Sequence, residues 1–324
     1  MNKKRKPVAG SYTPGPEQLA LMPEVSGNAV NGVGEGRKRR PTPIYHHDPE
    51  RTPFAALQTW FRARPSHPSI EAARLKRTSI MEEPIAPLTG PRRNAPPEVW
   101  SGEVKAKGRE LGAQLMGITR VRPEWVFEGY EVSHTWMIMI GVAMDYENLA
   151  TAPSPRSVVE VVTQYGRGTQ VAKRLAGWLR GQGWDAFPHC GPDAGPILLV
   201  PAALECGFGE LGKHGSIINR DLGSSFRLAC VLTDAPLIAD DADAFGADGF
   251  CVNCLVCSQE CPPDAISAQK QLVRGDTKWY VDFDKCVPYF NEKTGCGICI
   301  AVCPWSRPGV ATNLVNKLAR RRRT

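Results

Sequence analysis

The chain has 324 residues, which suffice for one large or two modest domains whose core needs no disulfide bonds. Its formal net charge of +7 resides at its ends, because residues 1–51 carry +4, residues 307–324 carry +6 and the part between carries −3. The body therefore lacks the basic footprint of a nucleic-acid-binding protein, and we expect the basic ends to be solvated. The longest apolar run, residues 136–144, has nine residues, well below the roughly 20 that span a bilayer. With no signal peptide in evidence, we expect a cytoplasmic protein.

The first hundred residues are predicted to lie outside the core. Residues 1–50 are rich in glycine, proline, asparagine and charge, and this composition predicts a flexible or loosely draped basic arm. Residues 51–100 are predicted to wrap around the core, with a short amphipathic helix over 54–61 and proline-rich connections after it.

Helices and strands alternate in residues 101–245. Apolar periodicity predicts helices over 101–112, 156–181 and 196–204, and strands over 115–118, 136–144 and 226–232. This alternation, followed by a cysteine-rich segment, predicts an α+β core that carries an electron-transfer domain. The last residues, 309–324, are predicted to be a basic tail.

Eight of the eleven cysteines lie in residues 246–308 and predict a ferredoxin-type domain with two [4Fe–4S] clusters. Each cluster needs four thiolates, and in the bacterial ferredoxin pattern the cysteine before a proline ligates the other cluster. The spacing therefore predicts two crossed ligand sets. The first set is Cys251, Cys254, Cys257 and Cys303, and the second is Cys261, Cys286, Cys296 and Cys299. Paired Cys-x2-Cys motifs also bind zinc, but zinc needs neither a third cysteine two residues on nor a fourth before a proline.

Gly207, Gly209 and Gly212 satisfy the Gly-x-Gly-x-x-Gly pattern of dinucleotide-binding proteins. The context argues against that function, because the preceding residues predict a helix and the following ones an extended segment, the reverse of what the motif requires. We expect these glycines to let the backbone pass close to a bulky planar or phosphate-bearing ligand.

Residues 203–219 and 223–237, followed by the two cysteine motifs, resemble the cobalamin-dependent reductive dehalogenases and the related epoxyqueuosine reductases. Residues 144–146, 151–153 and 178–188 look like the cobalamin-binding core of the dehalogenases. The resemblance covers about residues 100–310. It implies a nitroreductase-like sheet-and-helix core with base-off cobalamin, and the Asp-x-His-x-x-Gly loop of other cobalamin enzymes is absent from the sequence. It also implies cleavage of a carbon–halogen bond in a small organohalide.

The resemblance implies roles for several residues. Tyr165, nineteen residues before Trp184, would donate a proton, and Arg227 would be the cation that makes its phenol a better acid. The alternatives are a solvent-facing tyrosine and a surface ion pair. Lys213 and His214 could contact a corrin amide or the nucleotide-tail phosphate, or cap the following strand. Asp193 is the candidate acid of an epoxyqueuosine reductase, and otherwise a turn residue.

Two alternatives to a dehalogenase stay open, an epoxyqueuosine-type reductase acting on tRNA and an electron carrier that uses only its clusters. The tRNA-modifying branch usually continues into a helical-repeat domain, whereas about twenty residues follow Cys303 here, which favours the dehalogenases. We expect no fused reductase domain, and therefore an external electron donor such as a ferredoxin or a flavin reductase.

Overall fold

The computed structural model describes residues 8–191 and 195–321. Its helices are α1 (Pro16–Ala20), α2 (Gly27–Val30), α3 (Ala55–Ala63), α4 (Pro68–Glu82), α5 (Pro97–Glu110), α6 (Tyr146–Leu149), α7 (Pro155–Gly181), α8 (Leu199–Glu205), α9 (Ala247–Asn253), α10 (Val256–Gln259), α11 (Phe283–Glu292), α12 (Ile298–Ala301) and α13 (Val310–Arg321). Its strands are β1 (Leu115–Arg120), β2 (Trp136–Ala143), β3 (Ala186–Cys190), β4 (Glu210–Leu211), β5 (Ile217–Ile218), β6 (Phe226–Thr233), β7 (Gln271–Val273) and β8 (Asp276–Lys278). None of the helices in these ranges combines the length and the apolar character needed to cross a bilayer.

The core is built on a four-stranded antiparallel sheet with the strand order β1-β2-β6-β3. Successive side chains of a strand point to opposite faces, and both faces of β2 are covered. Ile138 and Ile140 pack into the apolar group beneath α7, whereas Met137 and Met139 pack into the group beneath α8. This double burial explains why the segment is continuously apolar, and it confirms the mixed helix-and-sheet class.

Helix α7 crosses the sheet and carries Tyr165 near its middle. The helix begins at a capping box in which Ser154 and Ser157 exchange hydrogen bonds with each other's backbone amides. Val171, Leu175 and Leu179 recur at helical spacing and are buried against the sheet. The helix predicted over 156–181 is therefore confirmed almost to the residue.

The described part of the predicted arm, residues 8–50, packs against the cluster domain, as the draped alternative expects. Asp284 at the start of α11 accepts hydrogen bonds from Ser26 Oγ at 2.5 Å and from the Gly27 amide at 2.7 Å. Tyr45 is buried and its hydroxyl donates to Asn291 at 2.8 Å. Sequence composition does not show these contacts, because the partners lie about 250 positions away in the chain.

Two segments differ from their predictions. Residues 51–100 contain, besides the predicted helix at α3, the fifteen-residue helix α4, which packs along α7 through Ile70. Proline-rich sequence suggested connections there, but Pro68 stands in the first turn of α4, where a missing amide costs nothing. The predicted basic tail is the amphipathic helix α13 in its described part, and Ala311 and Leu314 pack against Trp305 and its neighbours.

We expect Asp284→Ala to loosen residues 8–51 from the cluster domain. The substitution removes the acceptor for Gly27 and Ser26, and a buried donor left without an acceptor costs about 1–3 kcal/mol. Chemical denaturation and limited proteolysis measure the effect. Asp276→Ala is the matched control, because the Asp276 side chain is exposed and meets residues 8–51 through a surface ion pair with Lys38, at 3.3 Å. Equal stability and equal protease resistance of the two variants would contradict this role of Asp284.

Candidate active site and cluster-binding sites

A cavity of about 660 Å³ lies between α7, the N-terminal helices and the cluster domain. Its volume is within the usual range for cofactor and ligand sites, and apolar side chains such as Val158, Val162 and Phe290 form much of its wall. Polar groups enter from two sides. Arg62, Arg74 and Arg77 come from α3 and α4, and Tyr165 and Arg227 come from the core.

Tyr165 and Arg227 lie next to each other in the structure. Tyr165 projects from α7 and Arg227 from β6, and the guanidinium carbon of Arg227 lies 5.4 Å from the centre of the Tyr165 ring. The Tyr165 ring packs closely against Gly191, since a Cβ atom added at Gly191 would lie 2.6 Å from the ring. Arg227 Nε is buried and has no hydrogen-bond partner among the described residues, so a polar atom is available to a bound group.

A second cavity, of about 220 Å³, lies on the other side of this pair. Tyr165 and Arg227 line both cavities and form part of the wall between them. The remaining wall is mostly apolar, with Phe127, Ile197 and Phe226 among its residues. A small apolar molecule in this space would touch the phenol and the guanidinium at once.

The eight cysteines of the cluster domain fall into two neighbourhoods. Burial raises the pKa of the Cys303 thiol to about 12, and the nearby thiols of Cys251, Cys254 and Cys257 contribute to this rise. Burial likewise raises the pKa of Cys299 well above its usual value, with Cys296, Cys286 and Cys261 among the thiols that add to it. We call these groups the distal set (Cys251, Cys254, Cys257 and Cys303) and the cavity set (Cys261, Cys286, Cys296 and Cys299).

The chemistry of these neighbourhoods suits a metal cluster. Buried thiols are poorly placed to ionise in an apolar environment, but a thiol that coordinates a metal is deprotonated. The Ala265 amide donates a hydrogen bond to Cys261 Sγ at 3.4 Å, the kind of contact that also stabilises a cluster thiolate.

The two sets differ in their access to the large cavity. All four cysteines of the cavity set line it, whereas the four of the distal set, all within the described residues, do not. The two sets meet at Cys257 and Cys299. Burial contributes most to the raised pKa of Cys299, the thiols of Cys296 and Cys286 come next, and the thiol of Cys257 also contributes. The two sets are therefore neighbours.

The glycine motif lies elsewhere. Gly207, Gly209, Gly212, Lys213 and His214 all belong to the described residues, and none of them borders either cavity. Gly209 has φ +126°, and a Cβ atom there would lie 2.0 Å from the carbonyl oxygen of Ile218. The glycines thus allow the chain to pack against itself at the β4-β5 hairpin, which corrects the expectation that they face a ligand.

The charged residues of this motif contact the cluster domain. Glu210 accepts hydrogen bonds from the backbone amides of Phe245, Gly246 and Ala247 at 2.9, 2.6 and 2.7 Å, and from Asp248 at 3.4 Å. These amides open α9, the helix that carries Cys251.

His214 is fully enclosed, and burial lowers its pKa to about 4. Its Nδ1 accepts from the Ser216 amide at 3.2 Å, and its Nε2 lies 3.1 Å from Ser224 Oγ. The neutral ring therefore holds the loop before β5 in place. This role resembles the alternative in which His214 caps the following strand.

Asp193, the acid of the epoxyqueuosine alternative, lies outside the described residues. Sequence reasoning missed the arginines of α3 and α4, because nothing in their local pattern separates a cavity-facing arginine from a solvated one.

Residues 250–306 match the family model of the 4Fe-4S dicluster domain. This confirms the predicted ferredoxin-type domain with two 4Fe–4S clusters. The chain is also a relative of two groups of enzymes. It is 33% identical to the tetrachloroethene reductive dehalogenase of Desulfitobacterium hafniense over 210 residues, which make up 60% of this chain and 37% of that protein. It is 28% identical to the epoxyqueuosine reductase of Salmonella typhimurium over 257 residues, 63% of this chain and 64% of that protein.

A solved reductive dehalogenase, described together with a mechanism for B12-dependent dehalogenation, has the same fold. It superposes with a TM-score of 0.69 at 21% identity, over 92% of this chain and 46% of that one. The resemblance to reductive dehalogenases and epoxyqueuosine reductases is thereby confirmed. The chain spans little more than a third of the length of the tetrachloroethene dehalogenase that it matches.

We expect Glu210→Ala to weaken the attachment of α9 and with it the distal set. Removing a charged acceptor shared by four amides should lower the free energy of unfolding by about 3 kcal/mol. Iron content per chain and chemical denaturation report the two effects. Glu110→Ala is the control, because Glu110 is exposed and pairs with Lys107 on the surface of the core. Full iron content and unchanged stability in Glu210→Ala would refute this attachment.

Proposed function

We propose that the chain is a cobalamin-dependent oxidoreductase of the reductive dehalogenase type. The reaction replaces the halogen of a small organohalide by hydrogen, consuming two electrons and one proton and releasing halide. The observation that carries the proposal is the shared cavity, because the proton-donor pair and four cluster cysteines line the same space. The relatives named as reductive dehalogenases support it.

The distal and cavity sets are proposed to hold one [4Fe–4S] cluster each. The neighbours of Cys303 and of Cys299 support the crossed arrangement predicted from the cysteine spacing. When bound, the two clusters would supply one-electron transfer from an external donor, with the cavity set holding the cluster that borders the large cavity. We place this reaction in the cytoplasm.

The large cavity is the proposed site of a base-off corrinoid in a nitroreductase-like core. Its volume, its apolar wall, its arginines and the unpartnered Arg227 Nε fit a large planar group with polar substituents. When bound, the corrinoid supplies a low-potential cobalt centre that exchanges electrons with the clusters.

Tyr165 holds the proton, and Arg227 stabilises the charge that remains when it leaves. A substrate in the small cavity lies against both side chains, so the phenol can protonate the carbon from which halide departs. A guanidinium is always charged, so Arg227 places a positive charge beside the ring from which the proton leaves. The apolar wall keeps water from competing as a proton source.

An epoxyqueuosine-type reductase is the second candidate. That relative matches a similar share of this chain and a larger share of its own length than the dehalogenase does. In this case Asp193 is the proposed acid and tRNA the substrate. Release of halide from tetrachloroethene, against conversion of epoxyqueuosine in tRNA, separates the two candidates.

We expect Cys303→Ala to lose the distal cluster and to keep the cavity cluster. Anaerobically reconstituted wild-type protein should bind about eight iron and eight sulfide, and the variant about half of each. Iron and sulfide analysis with electron paramagnetic resonance measures this. Cys190→Ser is the control, because Cys190 lies in β3, outside the cluster domain. Zinc without sulfide in the wild-type protein would exclude the proposed clusters.

We expect Tyr165→Phe to retain clusters and corrinoid while halide release falls by about two to four orders of magnitude, the usual contribution of a positioned general acid. Arg227→Lys should lose less, because the charge survives and only the planar fork is lost. Tyr130→Phe is the control, because Tyr130 borders neither cavity. Undiminished halide release by Tyr165→Phe with full cofactor content would assign the proton to another acid.

A further inference from the structure

Lys213 is a buried cation without a visible counter-ion. Its side chain is only 1% exposed, and its Nζ has no hydrogen-bond partner among the described residues. Nζ lies 4.9 Å from the centre of the Trp279 ring, a cation–π contact that compensates only part of the lost hydration. A buried charge without a partner costs several kcal/mol, so an anion is expected nearby.

The neighbouring carboxylate is already engaged. Asp248 accepts from Lys270 Nζ at 2.7 Å and from Trp279 Nε1 at 2.7 Å. Lys270 also lies near the Trp279 ring, at 5.5 Å, but its side chain is 32% exposed and its charge is paired. Lys213 and Lys270 thus share the same tryptophan and differ in burial and in pairing.

The groups that face Lys213 are thiols of the distal set. Burial raises the pKa of Cys251 to about 11, and the backbone amide and the ammonium of Lys213 both oppose this rise. Burial and the nearby thiols of Cys251 and Cys254 raise the pKa of Cys257 to about 12, again against the charge of Lys213. Trp279 packs in the same apolar group as Cys251 and Cys303. Through Trp279 and these thiols, Lys213 is therefore a buried neighbour of the distal set.

We propose that Lys213 is the counter-ion of the cluster held by the distal set and that it raises the reduction potential of that cluster. The proposal rests on the ligand assignment under the proposed function. A cluster with four thiolate ligands is negatively charged, and reduction adds a further negative charge. A fixed positive charge in a buried site therefore favours the reduced form.

In the part of the chain that the structure describes, the cation that acts on a thiol of the cavity set is partly exposed and already paired. Lys293 acts on Cys296, but it forms a 2.7 Å ion pair with Glu292, and both side chains are more than a third exposed. Lys213 consequently distinguishes the two clusters. It makes the distal one the easier to reduce and suited to accept electrons from the donor.

The test is a redox titration of the cluster-loaded protein, followed by electron paramagnetic resonance. In Lys213→Met, the equilibrium constant for reduction of one cluster should fall by a factor of ten or more. For a one-electron couple this lowers the midpoint potential of that cluster by about 59 mV or more, and the potential of the other cluster should not change. Lys213→Arg should keep the potential near that of the wild type. Lys270→Met is the matched control, with a much smaller shift expected because Lys270 is solvated and paired.

Unchanged potentials in Lys213→Met with full iron and sulfide would overturn the proposal and leave the ligand assignment intact. Failure of the wild-type protein to assemble clusters would remove both. If Lys213→Met loses one cluster, its retention in Lys213→Arg supports the proposal, because charge is then required. Loss of the cluster from both variants overturns the proposal, because cluster assembly then requires the shape of the lysine side chain and not its charge.

Discussion

The contact on which the rest of the arrangement depends is the carboxylate of Glu210 at the start of α9. It accepts hydrogen bonds from four successive backbone amides, which otherwise have no partner within a helix. Because Glu210 belongs to β4 of the core and α9 carries Cys251, this one side chain sets the position of the distal set relative to the core. The glycines around it let β4 and β5 lie close enough for the carboxylate to reach.

A second set of contacts joins the core to the end of the cluster domain. A Cβ atom at Gly223 would lie 1.9 Å from the carbonyl oxygen of Trp305, and Ser225 Oγ donates to the carbonyl of Ser306 at 3.3 Å. Arg227 follows two residues after Ser225 on β6. The close approach at Gly223 therefore ties β6, which carries Arg227, to the end of the cluster domain, and a larger side chain at this position would force the two apart.

The sequence predicted those parts of the molecule whose signal is local. The helix α7, the strand β2 and the cysteine spacing follow from periodicity or from ligand count, and the structure or the family match confirms them. Long-range partners left no such signal. Residues 8–50 look disordered because Asp284, which orders them, lies far away in the chain. The local sequence shows Lys213 as a cation next to glycines, which suggested contact with a ligand. In the structure its neighbours are Trp279 and Cys251, which lie far from it in the chain.

The unusual spacing of the second cysteine motif acquires a physical reason from the cavity. Nine residues separate Cys286 from Cys296, and most of α11 fills this interval. Its residues Tyr289 and Phe290 form cavity wall, and Gly295 and Gly297 follow with positive φ on either side of Cys296. A shorter interval would leave no room for this wall. The nine-residue interval thus allows the second cysteine motif to present its cysteines and also to form part of the wall of the cavity that Tyr165 and Arg227 line.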